Sequence, residues 1–330
     1  MDPHEAASHG WNGCGVLHLS DCWAISMSTS KLVVKEQHIL ASIFIYHLGL
    51  RGLKQKHRPT NNSSMNGGRS LTLFRIASAI SCTVLIACNA LYGQQTGETS
   101  KRFPTPITPA PYTFSIWSVV FILSILWSVF ISFSYRLEKR RPQIEALGLY
   151  LPAAWFLTGV WPIVWNHELI FTSSVVLFTI TAFASIAWSR IKSAYEHNPQ
   201  LTSDSDDSKI WRAVDYACTS FLMSVYLGWL VTASLVNFVA AGVSRGIHLS
   251  PSASVGALTI LSIIVMGLSV HRKDPCLLLP VVWALLGLYN VNPNDQVERA
   301  SGILAGILGV WCLFSLTISV WRSTQRRSVY

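Results

Sequence analysis

Residues 108–135 read TPAPYTFSIWSVVFILSILWSVFISFSY, a proline- and aromatic-rich stretch that runs directly into an apolar segment. The part from 115 to 135 contains no charged side chain. A helix rises about 1.5 Å per residue, so about 20 such residues cross the roughly 30 Å of hydrocarbon in a bilayer. The stretch is therefore predicted to be a transmembrane helix that follows a proline-rich loop.

The rest of the chain repeats this apolar pattern. Hydrophobic residues make up 51% of the 330 residues and charged residues 12%, where a soluble domain carries about 25% charged residues. We therefore predict an all-α integral membrane protein whose partner is the lipid bilayer. The segment at 276–291 is the shortest, which leaves a tilted, re-entrant or interfacial arrangement open for it. The eight predicted spans lie at 71–92, 115–135, 147–165, 169–190, 218–239, 253–270, 276–291 and 303–321.

The basic residues predict the orientation of the chain. The net charge is +9, and alternate loops hold 18 Lys and Arg residues near the spans on one side against four on the other. Because cytoplasmic loops carry the excess of Lys and Arg, both termini are predicted to be cytoplasmic. These residues are spread over several loops instead of one patch, so no nucleic-acid partner is expected. The sequence leaves open which membrane houses the protein and whether it forms a homodimer.

Residues 1–70 differ from the remainder in being mixed and polar. They are predicted to form a disordered leader, and ordered structure is expected to begin near Ser70. A short apolar patch at 39–50 leaves an amphipathic helix on a membrane surface open. Translation from Met65 is a further alternative. Acidic residues at the very start, Asp2 and Glu5, do not fit a signal peptide.

The predicted spans lack the residues that most membrane chemistry uses. No Asp or Glu lies within them, all ten histidines lie outside their interiors, and Arg75 is near enough to a span end to reach the interface. Ion-coupled transport usually needs an ionisable residue inside the bundle, and haem ligation between helices needs paired histidines. The seven cysteines form no C-x-x-C pair. We therefore expect no catalytic residue, no metal site and no required cofactor.

One face of the fifth span combines aromatic, small and amide side chains. Tyr226, Trp229, Ala233 and Asn237 follow one another at spacings of three, four and four, so they share a helix face. Such a face suits a flat apolar ligand with a few polar edges. It equally suits close packing on a neighbouring helix, with Asn237 donating or accepting a hydrogen bond between helices.

Tryptophans are also concentrated in the third span. Trp161 and Trp165 lie one helical turn apart, with Trp155 nearby. An indole at bilayer depth carries an N–H group that needs an acceptor, so these side chains are expected to face the bundle interior. Helix packing is the favoured reading on residue type alone, and a ligand pocket is the alternative. Trp188 and Trp321 lie at span ends, where the interfacial belt of aromatic residues accounts for them.

Four prolines precede the second span. Because proline lacks an N–H group and fixes its own φ, residues 103–114 are predicted to form a stiff, extended loop. The predicted orientation puts this loop opposite the termini, beside the short turn at 166–168. The loop can therefore act as a lid that holds aromatic side chains over the end of the bundle. Its prolines are Pro104, Pro106, Pro109 and Pro111, and its aromatic residues are Phe103, Tyr112 and Phe114.

Four short motifs occur in the same order as in a known family. TPAPYTFSIWSVVF, from residue 108, is similar to TPAGYAFSIWGLIY, and VWPIVW, from residue 160, is similar to a region N-x-x-W-x-P. YLGWLVTASLVN, from residue 226, is similar to PYLxWxxxAxxLN, and DPCLLLPVVWALLG, from residue 274, is similar to DPAFALVVVWALIG. Over residues 71–321 the chain therefore resembles the tryptophan-rich sensory proteins, the broader kin of the TspO and translocator protein (peripheral benzodiazepine receptor, MBR) family.

The resemblance implies a TspO-like five-helix core at about 71–242, followed by about three additional transmembrane helices and a short basic tail at 243–330. It also implies that a hydrophobic ligand such as a tetrapyrrole or a sterol binds in a pocket capped by the loop between helices one and two, with porphyrin or haem as candidates. The positions that match the pocket are Trp161, Trp165, Trp229 and Ala233, with Tyr226 and Asn237 on the same fifth-span face. The lid and its hinge correspond to Pro109, Tyr112, Phe114 and Trp117.

The chain also departs from the family pattern. Thr158 and Gly159 stand where the family has an asparagine before the third-helix tryptophan. Ser115, Phe121 and Val225 replace a proline, a tyrosine and a proline of the other motifs. Ligand identity is therefore not carried over with the fold, and cholesterol binding has no support of its own in the residues.

Three classes of function are weighed. The leading hypothesis is a sensor or handler of an apolar or tetrapyrrole-like ligand that binds in an aromatic pocket. The alternative is a transporter or facilitator of a small neutral solute, because the lack of charge in the spans argues only against ion-coupled transport. An enzyme that degrades porphyrin is disfavoured, because the spans offer no histidine, carboxylate or metal set.

Overall fold

The structure is a computed structural model, and it describes residues 64–133, 141–198 and 209–327 of the chain. Residues 1–63 of the predicted leader at 1–70, including its apolar patch at 39–50, lie outside the described residues. The backbone is helical from Ser64 onward. The first helix therefore begins before the start near Ser70 that the sequence predicts, and it also runs past the predicted end of the first span.

The described residues form α-helices joined by short turns. A 3₁₀ turn at Pro111–Ser115 precedes α2, a π turn at Ala217–Phe221 joins α6 to α7, and a 3₁₀ turn at Pro275–Leu278 precedes α9. The helices are α1 (Ser64–Arg102), α2 (Ile116–Phe133), α3 (Arg141–Leu147), α4 (Tyr150–Asn166), α5 (Ile170–His197), α6 (Lys209–Tyr216), α7 (Leu222–Val243), α8 (Pro251–His271), α9 (Leu279–Val291) and α10 (Asp295–Arg327).

The helices account for the predicted membrane spans. In the described part of the chain, six helical segments are long and apolar enough to cross a bilayer, and α3 with α4 makes a bent seventh. The short predicted span at 276–291 is found as a shorter apolar helical segment, Pro275–Val291. The protein is thus an all-α integral membrane protein. Its core comprises α1, α2, the α3–α4 pair, α5 and α7, and the additional helices are α8, α9 and α10.

The third span is broken, whereas the sequence predicts one continuous helix at 147–165. α3 ends at Leu147, α4 begins at Tyr150, and the two are bent by 52°. The break lies at Gly148, whose φ of 51° is in the left-handed region that glycine adopts without steric cost. The Gly148 N–H donates to the Ile144 carbonyl at 2.9 Å, which closes the end of α3.

The core helices pack around α7. α1 lies on α4, α4 on α5, and α5 on α7, while α2 contacts both α1 and α7. α10 packs on α8 and α9, and α9 returns to α7. Trp127 on α2, Trp155 on α4, and Tyr226 and Trp229 on α7 are among the largest fully buried side chains. α7 therefore joins the five-helix core to the C-terminal helices.

Two glycines allow helices to approach one another closely. A Cβ atom at Gly159 of α4 would lie 2.8 Å from the Val84 carbonyl oxygen of α1. A Cβ atom at Gly228 of α7 would overlap the Leu277 carbonyl oxygen and lie 3.2 Å from the Pro280 ring. Small residues at such contacts are how helices gain close backbone packing in membranes. Gly159 thus brings α1 onto α4, and Gly228 brings the turn before α9 onto α7.

Adding a methyl group at either contact is expected to destabilise the fold. Gly159→Ala and Gly228→Ala should each lower the free energy of unfolding by about 1–3 kcal/mol, the usual cost of overpacking, although alanine favours helix more than glycine. Thermal unfolding of the detergent-solubilised protein measures this. Gly256→Ala on α8 is the matched control, because its Cβ atom would meet nothing within 4 Å. Unfolding at one temperature for all three variants and the wild type would contradict the close packing.

Candidate functional site

An aromatic cluster forms where the beginning of α2 and the residues just before it, Phe114 to Phe121, meet α7. Its members are Phe114, Trp117, Phe121, Tyr226 and Trp229. The Trp229 ring meets Phe114 edge-on at 5.5 Å and Trp117 at 6.3 Å between centroids, and Trp117 meets Tyr226 at 6.4 Å. Trp117 stacks on Phe121 at 5.6 Å. The structure thus brings together two predicted lid residues and two predicted pocket residues.

The lid segment, residues 103–115, is less extended than the sequence predicts. The Thr108 N–H donates to the Thr105 carbonyl at 3.2 Å, which makes a turn, and a 3₁₀ turn follows at Pro111–Ser115. Proline at the first position suits this turn because its missing N–H would have no partner there. The Thr113 hydroxyl donates to the Ala110 carbonyl at 2.6 Å. The 3₁₀ turn places Phe114 one turn before Trp117, so both rings reach Trp229.

Tyr226 connects the cluster to α4. Its hydroxyl lies 2.5 Å from the Thr158 hydroxyl and donates to the Ala154 carbonyl at 3.3 Å. Tyr226 has no exposed surface. Thr158, which stands where the family has an asparagine, therefore supplies a polar partner to the fifth-span face. Its neighbour Gly159 makes the close contact with α1 described above.

Trp161 and Trp165 form a second aromatic group. Their rings stack at 5.7 Å, and Phe103 meets Trp165 edge-on at 6.5 Å. The Trp165 N–H donates to the Thr96 carbonyl of α1 at 3.1 Å. Within the described ring contacts, none joins this pair to the aromatic cluster. The residues predicted to form one pocket therefore lie in two groups, and Phe103 belongs to the second.

Asn237, at the polar end of the predicted fifth-span face, accepts a hydrogen bond from a neighbouring helix. The Ser173 hydroxyl of α5 donates to the Asn237 side-chain oxygen at 3.1 Å, and Asn237 is buried. Ala233 is partly buried on the same face of α7. Of the two readings left open for Asn237, the structure places it in the α5–α7 contact.

Tyr112 and Pro109 face α9 instead of the aromatic cluster. The Tyr112 ring meets Trp283 edge-on at 5.3 Å, and the Asn290 amide donates to the Tyr112 hydroxyl at 2.7 Å. Pro109 lies beside Gly287, whose Cβ position would be 3.3 Å from the Pro109 Cβ. Sequence reasoning missed Trp283, Gly287 and Asn290 as contacts of the lid segment. Trp283 and Gly287 belong to the motif that begins at Asp274.

Three buried indole N–H groups on α4 and α7 have no acceptor among the described residues: those of Trp155, Trp161 and Trp229. An unpartnered buried N–H costs about 1–3 kcal/mol. Trp229 is only 1% exposed, so no outside acceptor reaches it while the lid segment lies over it. Of these three donors, only the Trp229 N–H belongs to the aromatic cluster.

The packing beneath the lid segment is close. An apolar cavity of about 10 Å³ lies between the lid segment, α7, α8 and α9, beside Ile107, Pro109 and Val236. A water molecule needs about this much room. A tetrapyrrole is far larger than this cavity.

A model of the TSPO-like protein family matches residues 69–314, well over half of the chain. The chain belongs to the TSPO-like protein family. The four-motif resemblance is thereby confirmed. The matched region of this TSPO-like chain covers the five core helices and continues through α8, α9 and most of α10. Neither a curated protein nor a solved structure matches the chain.

Besides the aromatic cluster, this TSPO-like protein buries an ion pair that sequence reasoning missed. The Lys192 ammonium lies 2.8 Å from the Asp274 carboxylate, with the two side chains 12% and 1% exposed. Trp188 N–H and the Ser224 hydroxyl donate to the same carboxylate at 2.8 and 2.6 Å. The expectation of no ionisable residue inside the bundle is therefore wrong at this end. Trp188 is likewise buried, instead of lying in the interfacial belt.

The backbone before Asp274 explains how a residue at a span end becomes buried. Lys273 has a φ of 51°, a left-handed conformation that is uncommon for residues other than glycine. This turn lets the Asp274 N–H donate to the Ser269 carbonyl at 2.9 Å and directs the carboxylate toward α5 and α7. Among the described residues of the TSPO-like chain, no group of three or more His, Cys, Asp or Glu is placed to hold a metal ion.

Removing one charge of the buried pair is expected to destabilise the protein strongly. Lys192→Met leaves the Asp274 carboxylate buried without its counter-charge and should lower the free energy of unfolding by about 3–5 kcal/mol. The double variant with Asp274→Asn should regain part of this loss, which a double-mutant cycle of denaturant unfolding measures. Arg299→Met breaks an exposed ion pair with Asp295 and serves as the control, with an expected change of at most about 1 kcal/mol. Equal losses in Lys192→Met and Arg299→Met would disprove the buried pairing.

Proposed function

We propose that this protein is a multi-pass membrane receptor or handler of a flat apolar ligand that carries hydrogen-bond acceptors, bound at the aromatic cluster. The observation that supports this most is the Trp229 indole, which is buried, unpartnered and covered by Phe114 and Trp117 of the lid segment and its hinge. A covered donor at bilayer depth is costly to keep unless something binds it part of the time.

The chemistry of the cluster favours a planar ring system. Aromatic side chains bind flat apolar molecules through their faces and edges, while a few polar groups fix the orientation of the ligand. The Trp229 N–H would donate to an acceptor at the ligand edge, and Trp155 and Trp161 on α4 carry further unpartnered donors. Porphyrin and haem combine a flat ring with carboxylate acceptors, so they are the probes of choice. Either would be a ligand handled by the protein instead of a resident cofactor of an enzyme.

Binding is proposed to require movement of the lid segment. Tyr226 is fully buried and Trp229 is 1% exposed, whereas Phe114, which covers Trp229, is 37% exposed. Phe114 is therefore the side chain whose displacement would uncover the Trp229 ring. Phe114 and Trp117 both lie in the segment at 114–121, where α2 begins. A shift of this segment would therefore open the cluster without disturbing α7.

Titration with protoporphyrin and with haem tests the proposal. Wild-type protein in nanodiscs is expected to bind at least one of them saturably, followed by tryptophan quenching and by the absorbance of the ligand. Trp229→Phe keeps a ring but removes the N–H donor, so it should weaken binding about two- to tenfold. Ala233→Leu adds bulk to the same face of α7 and should weaken binding at least as much.

The matched control is Trp311→Phe, which removes another unpartnered indole N–H, on α10 and outside the aromatic cluster. This variant is expected to bind like the wild type. Absence of saturation in the wild type would refute the proposal. So would a loss of affinity in Trp311→Phe equal to that in Trp229→Phe.

We also propose that both termini are cytoplasmic and that the lid segment lies on the opposite side. Two contacts support a position at the same end of the bundle for the lid segment and the turns after α4 and α7. Arg102, just before the lid segment, pairs with Glu168, and Arg245 lies 4.0 Å above the Phe171 ring. The excess of Lys and Arg in the loops at the other end supports a cytoplasmic location for those loops and the termini.

Glycosylation mapping checks this orientation. An acceptor sequence inserted in the loop at 244–250 is expected to be modified in microsomes, and one added after Arg327 is expected to stay unmodified. The natural N-x-S sequences at Asn61 and Asn62 serve as an internal control, since they should also stay unmodified. The reverse pattern of modification would contradict the proposed orientation.

A further inference from the structure

The lid segment satisfies only part of its own backbone hydrogen bonding, through Thr108 N–H to the Thr105 carbonyl and Thr113 N–H to the Ala110 carbonyl. Its four prolines have no N–H group, so several of its carbonyl groups lack the local donors that a turn or helix would supply. The Asn292 amide, just after α9, donates to the Pro106 carbonyl at 2.7 Å. The Trp283 N–H donates to the Thr113 carbonyl at 3.0 Å. Side chains of the C-terminal region thus supply the missing donors.

One face of α9 makes these contacts. Trp283, Gly287 and Asn290 are spaced by four and three residues, so they share a helix face. The Gly287 carbonyl accepts from the Ala110 N–H at 3.3 Å, and Asn290 donates to the Tyr112 hydroxyl at 2.7 Å.

The contact is also sterically close. A Cβ atom at Gly287 would overlap the Thr113 methyl group. Ala110 and Thr113 are both buried, at 1% and 0% exposed. The lid segment therefore lies directly on the α9 backbone.

The lid segment has few polar ties elsewhere. Among the described residues, its hydrogen bonds to other parts of the chain go to α9 and Asn292, apart from one bond between neighbours, Phe103 N–H to the Ser100 carbonyl. Its contact with α7 is apolar, through Phe114 and Trp229. The position of the lid segment therefore depends on α9 more than on the core that it covers.

We propose that α9 acts as a latch: it holds the lid segment in place over the aromatic cluster. The C-terminal helices thereby govern how fast a ligand reaches the cluster. The ligand part of this inference rests on the proposed function, whereas the latch itself does not. The turn before α9 also contacts α7 at Gly228, while the face of α9 from Trp283 to Asn290 holds the lid segment. A shift of α9 relative to α7 would thus be transmitted to the cover of the site. This gives the three additional helices a regulatory role.

Hydrogen exchange of the lid segment tests the latch without any ligand. In nanodiscs, the Trp283→Phe, Asn290→Ala double variant loses two donors to the lid segment while it keeps an aromatic ring at 283. Exchange of the Ala110 and Thr113 amides is expected to be about five- to tenfold faster than in the wild type. Asn292→Ala, outside α9, should act in the same direction with a smaller effect. Trp311→Phe is the control and should leave the exchange unchanged.

Stopped-flow binding of protoporphyrin gives the second measurement. The association rate constant is expected to rise about as much as the amide exchange does, with a smaller change in affinity. Faster exchange without porphyrin binding in any variant would support the latch and refute the proposed function. Wild-type exchange and wild-type association rates in the double variant would overturn the latch, even if porphyrin binds. Exchange that rises equally in Trp311→Phe would also overturn it, since the effect would then be general loosening.

Discussion

Polar groups inside a bilayer have no water to pair with, so each must find a partner in the protein. The bundle meets this constraint by pairing hydroxyl and amide groups between helices. Thr158 pairs with Tyr226, Ser173 with Asn237, and Thr181 with Ser234 at 2.8 Å. These pairs position α7 against α4 and α5. The Trp229 indole N–H is one of the buried N–H groups that lack such a partner among the described residues, and it lies under Phe114 of the lid segment.

Hydropathy and helix length were sufficient to predict the spans, because the hydrocarbon thickness fixes how long an apolar helix must be. They could not predict the break at Gly148. Its left-handed φ depends on how α3 and α4 pack, and a single glycine in an apolar run does not reveal that choice. The lid segment shows the same limit. Its prolines excluded a continuous helix, but whether Pro111 would begin an extended stretch or a 3₁₀ turn depended on tertiary contacts.

For the candidate site, the sequence could predict which residues share a face of one helix, but not which residues of other helices pack against that face. Helical spacing correctly placed Tyr226 and Trp229 on one face, since that depends on local geometry alone. Which partners cover the face is a matter of tertiary packing, so the sequence did not reveal that Trp161 and Trp165 form a separate aromatic group, and Trp283 was missed. Lys192 and Asp274 were missed for a related reason. Residues at span ends are usually exposed, and only the left-handed turn at Lys273 brings the carboxylate inside.

The buried ion pair has a consequence for how the protein is made. Helices enter the membrane in the order of synthesis, and Trp188 and Lys192 on α5 are made long before their partner Asp274, which is 86 residues beyond Trp188. Until then the Lys192 ammonium must reach the headgroups through its flexible stem, as lysines near helix ends do. Its burial therefore waits for α8 to insert and for the chain to turn. A nascent chain interrupted before that turn would hold a charged residue at its lipid boundary.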